Sequence, residues 1–219
     1  MSTSPQAYDC VVLSKSWQRP LQVACKRLLD VLISVLLLIV LSPLLLVLAA
    51  MVRFTSRGPV FYRWRVVGKN GQPFTSYKFR SMISNADQMK AALEARNEMT
   101  GPVFKITSDP RVTRVGQWMR RYSLDELPQL YSVLSGDMSL VGPRPPLMTE
   151  YVRFSPYQRQ KMAVTPGITC LWQVSGRNQV SDFDQWVALD LEYIRRWSLA
   201  LDLKILCRTA WVVVAGSGK

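Results

Sequence analysis

The chain of 219 residues has no histidine, which removes the commonest general base. Carboxylates are scarce beside cations. Asp and Glu number 15 against 28 Lys and Arg, for a net charge of +13. That imbalance points to an anionic partner: nucleic acid, a membrane surface or a phosphorylated substrate. Cysteine is sparse too, and Cys10, Cys25, Cys170 and Cys207 form no C-x-x-C pair. Neither a disulfide framework nor a zinc site is expected, and the thiols read as reduced and cytosolic. No internal repeat or low-complexity tract is present, and the length suits one domain with an appendage.

One long apolar run is present, from Val31 to Val52. At about 1.5 Å per residue it could just cross the roughly 30 Å hydrocarbon core of a bilayer as one helix. Ser42-Pro43 interrupts it at the middle. Proline breaks the backbone ladder there, and the serine hydroxyl can satisfy a freed carbonyl. Lys15, Arg19, Lys26 and Arg27 precede the run; Arg53, Arg57, Arg63 and Arg65 follow it. A spanning helix would put one basic cluster on the wrong side of the membrane. The two-sided charge therefore favours a re-entrant helix–break–helix over a proline-kinked span.

After the run, residues 60–67 and 74–80 alternate as strands around Asn70-Gly71, a β-hairpin signal. Alternation puts Lys78 and Arg80 on one face and Tyr77 and Phe79 on the other. Residues 84–98 read as an amphipathic helix and 113–121 as a short basic one. Thr165-Pro-Gly167 reads as a type II turn, 168–174 as a strand and 175–178 as a polar loop. Residues 181–197 form a helix with an acidic start and a basic end. The apolar tail 199–214, with Trp197 and Trp211 near its ends, fits an interfacial amphipathic helix; a core helix fits its periodicity equally.

The centre of the chain is Tyr122-Ser-Leu-Asp-Glu-Leu-Pro-Gln-Leu130, followed by Gly142-Pro-Arg-Pro-Pro146. Asp125 as N-cap puts Pro128 in the first helical turn, where proline costs little. Ser123 as N-cap makes a capping box with Glu126 but places Pro128 a turn inside, where it would clash. The first register is favoured, and both set the acids at a helix N-terminus. Taken alone, this is an N-capped core helix. Arg144, stiffened by a proline on either side, is a preorganised fork for phosphate.

Six segments together resemble the bacterial sugar transferase family, the monotopic phosphoglycosyl transferases. They are Lys78–Met82, Ser108–Arg111, Ser123–Leu130, Gly136–Pro145, Pro166–Thr169 and Trp172–Asn178, in register from about Cys25 onward. Cys170 stands where the family usually has glycine, and the length resembles the minimal catalytic unit. The resemblance implies transfer of a sugar-1-phosphate from a UDP-sugar to undecaprenyl phosphate, with Mg²⁺, at the cytoplasmic face of the bacterial inner membrane. It implies a mostly α fold with a small β-hairpin, and interfacial helices around a cytoplasmic catalytic domain. Residues 1–24 would be an N-terminal segment, 25–53 a re-entrant membrane helix broken at Ser42-Pro43, and 54–219 the catalytic domain.

The chemistry suits a chain without histidine. A carboxylate is already ionised at pH 7, so Asp125 can attack phosphorus without a base. Asp125 and Glu126 are the expected catalytic and metal-binding pair. Lys78, Arg80, Arg120, Arg144 and Arg177 are candidate ligands for phosphate or nucleotide, although exposed cations on a strand are commonly just a solvated face. Partners would be the UDP-sugar, the polyprenyl phosphate and membrane lipid, with a homodimer left open and nucleic acid excluded. A rival reading, a membrane-tethered helix-turn-helix protein, would start its recognition helix with Asp-Glu-Leu-Pro, presenting acids to DNA phosphates.

Overall fold

Prolines mark the first two helices. In the computed structural model, which describes residues 15–176 and 180–216, Pro20 opens α1 (Pro20–Val40) and Pro43 stands in the first turn of α2 (Ser42–Thr55). The two are bent by 64° at Leu41. Pro43 has no N–H for the Ile39 carbonyl, and Ser42 Oγ donates to that oxygen instead, at 2.8 Å. No single helix among the described residues is long and apolar enough to cross a membrane.

The first half of α1 belongs to the body of the protein. Lys26, Asp30 and Ser34, spaced four apart along one face, are all buried. Lys26 Nζ donates to Asp202 Oδ2 at 2.7 Å and to the Val141 carbonyl at 3.0 Å. Asp30 Oδ1 accepts from Leu140 N at 3.0 Å, and burial pushes its carboxyl pKa up against the pull of Lys26. Arg27 donates to the Val133 and Leu134 carbonyls. Two of the four cations that precede the apolar run, Lys26 and Arg27, are thus internal ties. The far half of the pair is bare: Leu36, Ile39, Val40, Leu46 and Val47 are exposed.

The hairpin forms as its turn demands. Strands β1 (Phe61–Val67) and β2 (Pro73–Phe79) pair antiparallel, with Trp64 opposite Ser76 and Tyr62 opposite Lys78. Asn70 and Gly71 both take positive φ, 55° and 78°. Residues 84–98 do not form the expected α-helix: a run of turns leads into a 3₁₀ helix, Ala91–Arg96. Arg111 Nη1 takes the Ala86 carbonyl, and the Lys90 N–H that an α-helix would send there goes to Asp87. Helix α3 (Arg114–Arg121) is capped by Thr113, whose side chain accepts from Gly116 N.

A 3₁₀ turn, Leu124–Gln129, leads into α4 (Leu130–Ser135), which Gly136 ends in the left-handed region at φ 93°. Strand β3 (Ser139–Val141) follows, then the short helices α5 (Met148–Tyr151) and α6 (Pro156–Arg159). Strand β4 (Gly167–Thr169) pairs parallel with β3. Gly167 is therefore in a strand and has no positive φ, so the expected type II turn is absent. Glycine is needed there for approach, because a Cβ would lie 2.1 Å from Gly142 N. The expected strand 168–174 stops at Thr169, and α7 (Leu171–Val174) begins. At this end Gly142 N donates to the Thr169 carbonyl, and the Pro143 carbonyl turns back to accept from Gly167 N, both at 3.0 Å.

Helices α8 (Phe183–Arg196) and α9 (Leu199–Val214) start on side-chain caps from Asp182 and Ser198. Trp197 is no interfacial anchor: it is buried, stacks on Trp17 at 4.0 Å, and donates to Asp202 at 3.0 Å. Trp211 is 74% exposed. The main core gathers α4, β3 and α8 around Trp172, Trp186, Val187 and Ile194; a second cluster joins Leu48 and Val52 of α2 to Phe79 and Met119.

Candidate active site

Ser123, at φ 53°, reverses the chain after α3 and starts the turn that carries the acids. The helical segment thus begins there and not at Asp125. Its first turn is 3₁₀, which spares Pro128 the clash with the i−4 carbonyl of an α-helix. The Ser123 side chain makes no cap, so the capping box is absent too. Asp125 and Glu126 end up 7% exposed each.

Glu126 is where the cations converge. Its Oε1 accepts from Lys78 Nζ at 2.9 Å and from Arg144 Nη2 at 2.9 Å. Lys78 comes from β2, which packs against the acidic turn. Arg144 is held by its backbone neighbours: Gly167 N donates to the Pro143 carbonyl and Val67 N to the Pro146 carbonyl, both at 3.0 Å. Burial pushes the Lys78 pKa down to about 8, against the pull of Glu126 and with a further push from Arg144. Burial also opposes the Arg144 charge, but Glu126 outweighs it and the Arg144 pKa is raised. Lys78 sits 3.9 Å from the centroid of the Trp64 ring, and the Arg144 Cζ 6.0 Å from it.

The other expected ligands are placed differently. Arg80 Nη2 donates to the Ser56 carbonyl and hydroxyl at 2.7 and 2.8 Å, binding the end of α2 to the hairpin. Arg120 Nε donates to Ser81 Oγ at 2.9 Å. Arg177 lies outside the described residues. Asp125, Glu126, Lys78 and Arg144 are thus assembled, with Arg80 and Arg120 tying adjacent segments. Among the described residues no group of three or more Asp, Glu, Cys or His side chains could hold a metal. Two adjacent carboxylates remain, a donor set that Mg²⁺ completes with substrate phosphate oxygens.

Sequence reasoning missed Trp64 and the buried pair Lys161–Asp190, 2.6 Å apart behind the site. Trp64 was accessible in principle. The turn at Asn70-Gly71 fixes the register, and that register makes Trp64 the diagonal neighbour of Lys78 on one face. The helix-turn-helix alternative finds no support. The would-be recognition helix α4 buries Leu130, Ser132 and Val133, and Glu126 before it is ion-paired inside the protein.

The chain is 42% identical over 97% of its length to the galactosyl transferase CpsE of Streptococcus agalactiae, of which it spans 47%. It is 42% identical to the exopolysaccharide production protein ExoY of Sinorhizobium fredii, matching 91% of the chain and 90% of that protein. With the undecaprenyl-phosphate galactose phosphotransferase of Salmonella typhimurium it shares 43% identity, over 88% of the chain and 41% of the relative. Residues 21–216, which hold α1, the Glu126 cluster and α9, match the family model for bacterial sugar transferases, and the chain belongs to that family.

Proposed function

We propose that this protein transfers a sugar-1-phosphate from a UDP-sugar to undecaprenyl phosphate and releases UMP. The observation that carries the reading is the convergence of Lys78 and Arg144 on Glu126, directly beside Asp125. Two nearly buried cations next to a carboxylate offset the repulsion between that anion and an incoming diphosphate. An Asp125 oxygen attacks the phosphorus that bears the sugar; the bond to the α-phosphate breaks and its electron pair leaves with UMP. The product is an acyl phosphosugar on Asp125. An oxygen of the lipid phosphate then attacks the same phosphorus and the carboxylate departs. Neither step needs a proton removed, which suits a site without histidine. Asp125 and Glu126 would hold a Mg²⁺, which would neutralise charge on the phosphate oxygens.

Packing supports a re-entrant membrane reading. The start of α1 is tied to α9 and β3 through Lys26, and the end of α2 packs on Phe79 and Met119. Both outer ends of the bent pair are held by one body, so the exposed apolar elbow would enter one leaflet and return, from the cytoplasmic face. The relatives' names make galactose the first sugar to try.

The test is the purified protein in lipid nanodiscs with a panel of UDP-sugars. UDP-sugar alone should release about one UMP per protein, and polyprenyl phosphate should make release continuous. EDTA should stop it and Mg²⁺ restore it. Release of UDP in place of UMP would show transfer of the sugar without its phosphate and sink the proposal.

A further inference from the structure

We infer that Trp64 is a positioning residue whose indole face keeps Lys78 and Arg144 in place while Glu126 loosens its hold on them. The inference rests on the transfer reading above. Lys78 and Arg144 carry like charge and share a single oxygen of Glu126. An incoming phosphate draws their N–H donors, and a metal at Glu126 draws the carboxylate. Either event weakens the Glu126 contact that the two cations share, and their mutual repulsion would then spread them. The indole is neutral, so neither event pulls it away. It lies under the Lys78 ammonium at 3.9 Å and near the Arg144 guanidinium at 6.0 Å, and Trp is the strongest aromatic partner for a cation.

The surroundings of Trp64 fit this role better than a packing role. Its side chain is nearly buried, at 8% exposure, on a strand hydrogen-bonded to β2. The residue opposite it is Ser76, whose hydroxyl is engaged with Ser132. That small neighbour leaves the ring free to lie diagonally across to Lys78. The indole Nε1–H is buried and has no hydrogen-bond partner among the described residues. Unpaired buried donors are costly, so for packing alone phenylalanine would serve the site at least as well. The cations account for the indole.

This gives stability and activity opposite signs, which a packing role would not. W64F should melt at or above the wild-type temperature yet lose about 3- to 5-fold in kcat/KM for UMP release. W64L, which has no ring face, should lose about 10- to 30-fold, with W64Y between the phenylalanine and tryptophan proteins. Thermal midpoints and initial rates would be taken on the same nanodisc preparations. The inference is overturned if W64F and W64L both stay within twofold of wild type. It is equally overturned if activity falls only in step with the melting temperature. Failure of the wild type itself to release UMP would instead strike the transfer reading.

Discussion

At the residue scale the pair Asp125–Glu126 divides its work: Glu126 gathers cations and Asp125 is the proposed nucleophile. Asp125→Asn is nearly isosteric, so it should keep the melting temperature while abolishing the UMP burst, with intact-mass spectrometry finding no phosphosugar adduct. A persistent burst would move the nucleophile elsewhere. Lys78 gives a second, signed expectation. Its pKa is lowered from 10.5 to about 8 by burial. As pH rises through about 8 the ammonium loses its proton, so kcat/KM should fall. Between about 8 and 10.5 the unfolded chain still binds that proton and the folded chain does not, so this group makes stability rise with pH. Rate and urea-unfolding measurements across pH 7–10 should therefore slope in opposite directions. The acids and Arg144 were legible as a motif, because chemistry constrains their spacing. That Arg80 serves Ser56 and that Trp64 underlies Lys78 depended on where strands and loops meet.

At the element scale the features read correctly were those set by local backbone chemistry: the Asn70-Gly71 turn, the Gly136 stop and the break at Ser42-Pro43. The features misread were decided by distant partners. Arg111 captures a carbonyl 25 residues away and keeps 84–98 from closing as a helix. The parallel β3–β4 ladder joins segments far apart in the sequence and stops at Thr169, which no local pattern announced. The break itself supplies an experiment. In a Ser42→Leu, Pro43→Leu variant α1 and α2 can fuse into one helix of about 50 Å, long enough to span. Straightening must pull apart either the Lys26 ties or the Leu48–Val52 cluster, so a mixture of orientations with lowered activity is expected. A cysteine placed near residue 5, in a background without the native cysteines, reports it through a membrane-impermeant reagent. With Ser42-Pro43 intact it should label only after lysis; labelling in whole cells would mean that the segment spans.

At the scale of the whole molecule, a net charge of +13 conceals a few buried charges that bind the elbow to the catalytic body. Lys26 looked like a flanking membrane cation, because composition cannot tell a buried lysine from an exposed one. In the fold its partner Asp202 also accepts from the Tyr193 hydroxyl at 2.8 Å and Trp197 Nε1 at 3.0 Å, so the cluster draws together α1, β3, α8 and α9. Removing one member of such a pair strands the other charge away from water, at a cost of about 3–5 kcal/mol. Lys26→Met should therefore destabilise by about that much in urea unfolding. Adding Asp202→Asn should recover part of the loss, since an amide carries no unpaired charge. Its oxygen can accept from Trp197 Nε1, and its NH2 can donate to the Tyr193 hydroxyl oxygen while that hydroxyl donates to the Val141 carbonyl. Arg196→Ala, which breaks an exposed pair with Glu192 on α8, is the control and should cost less than about 0.5 kcal/mol. Because Lys26 also holds the Val141 carbonyl, three residues before Arg144, Lys26→Met should slow UMP release even where the protein remains folded. Full activity in folded Lys26→Met protein would show that the anchoring of α1 and the placement of Arg144 are independent.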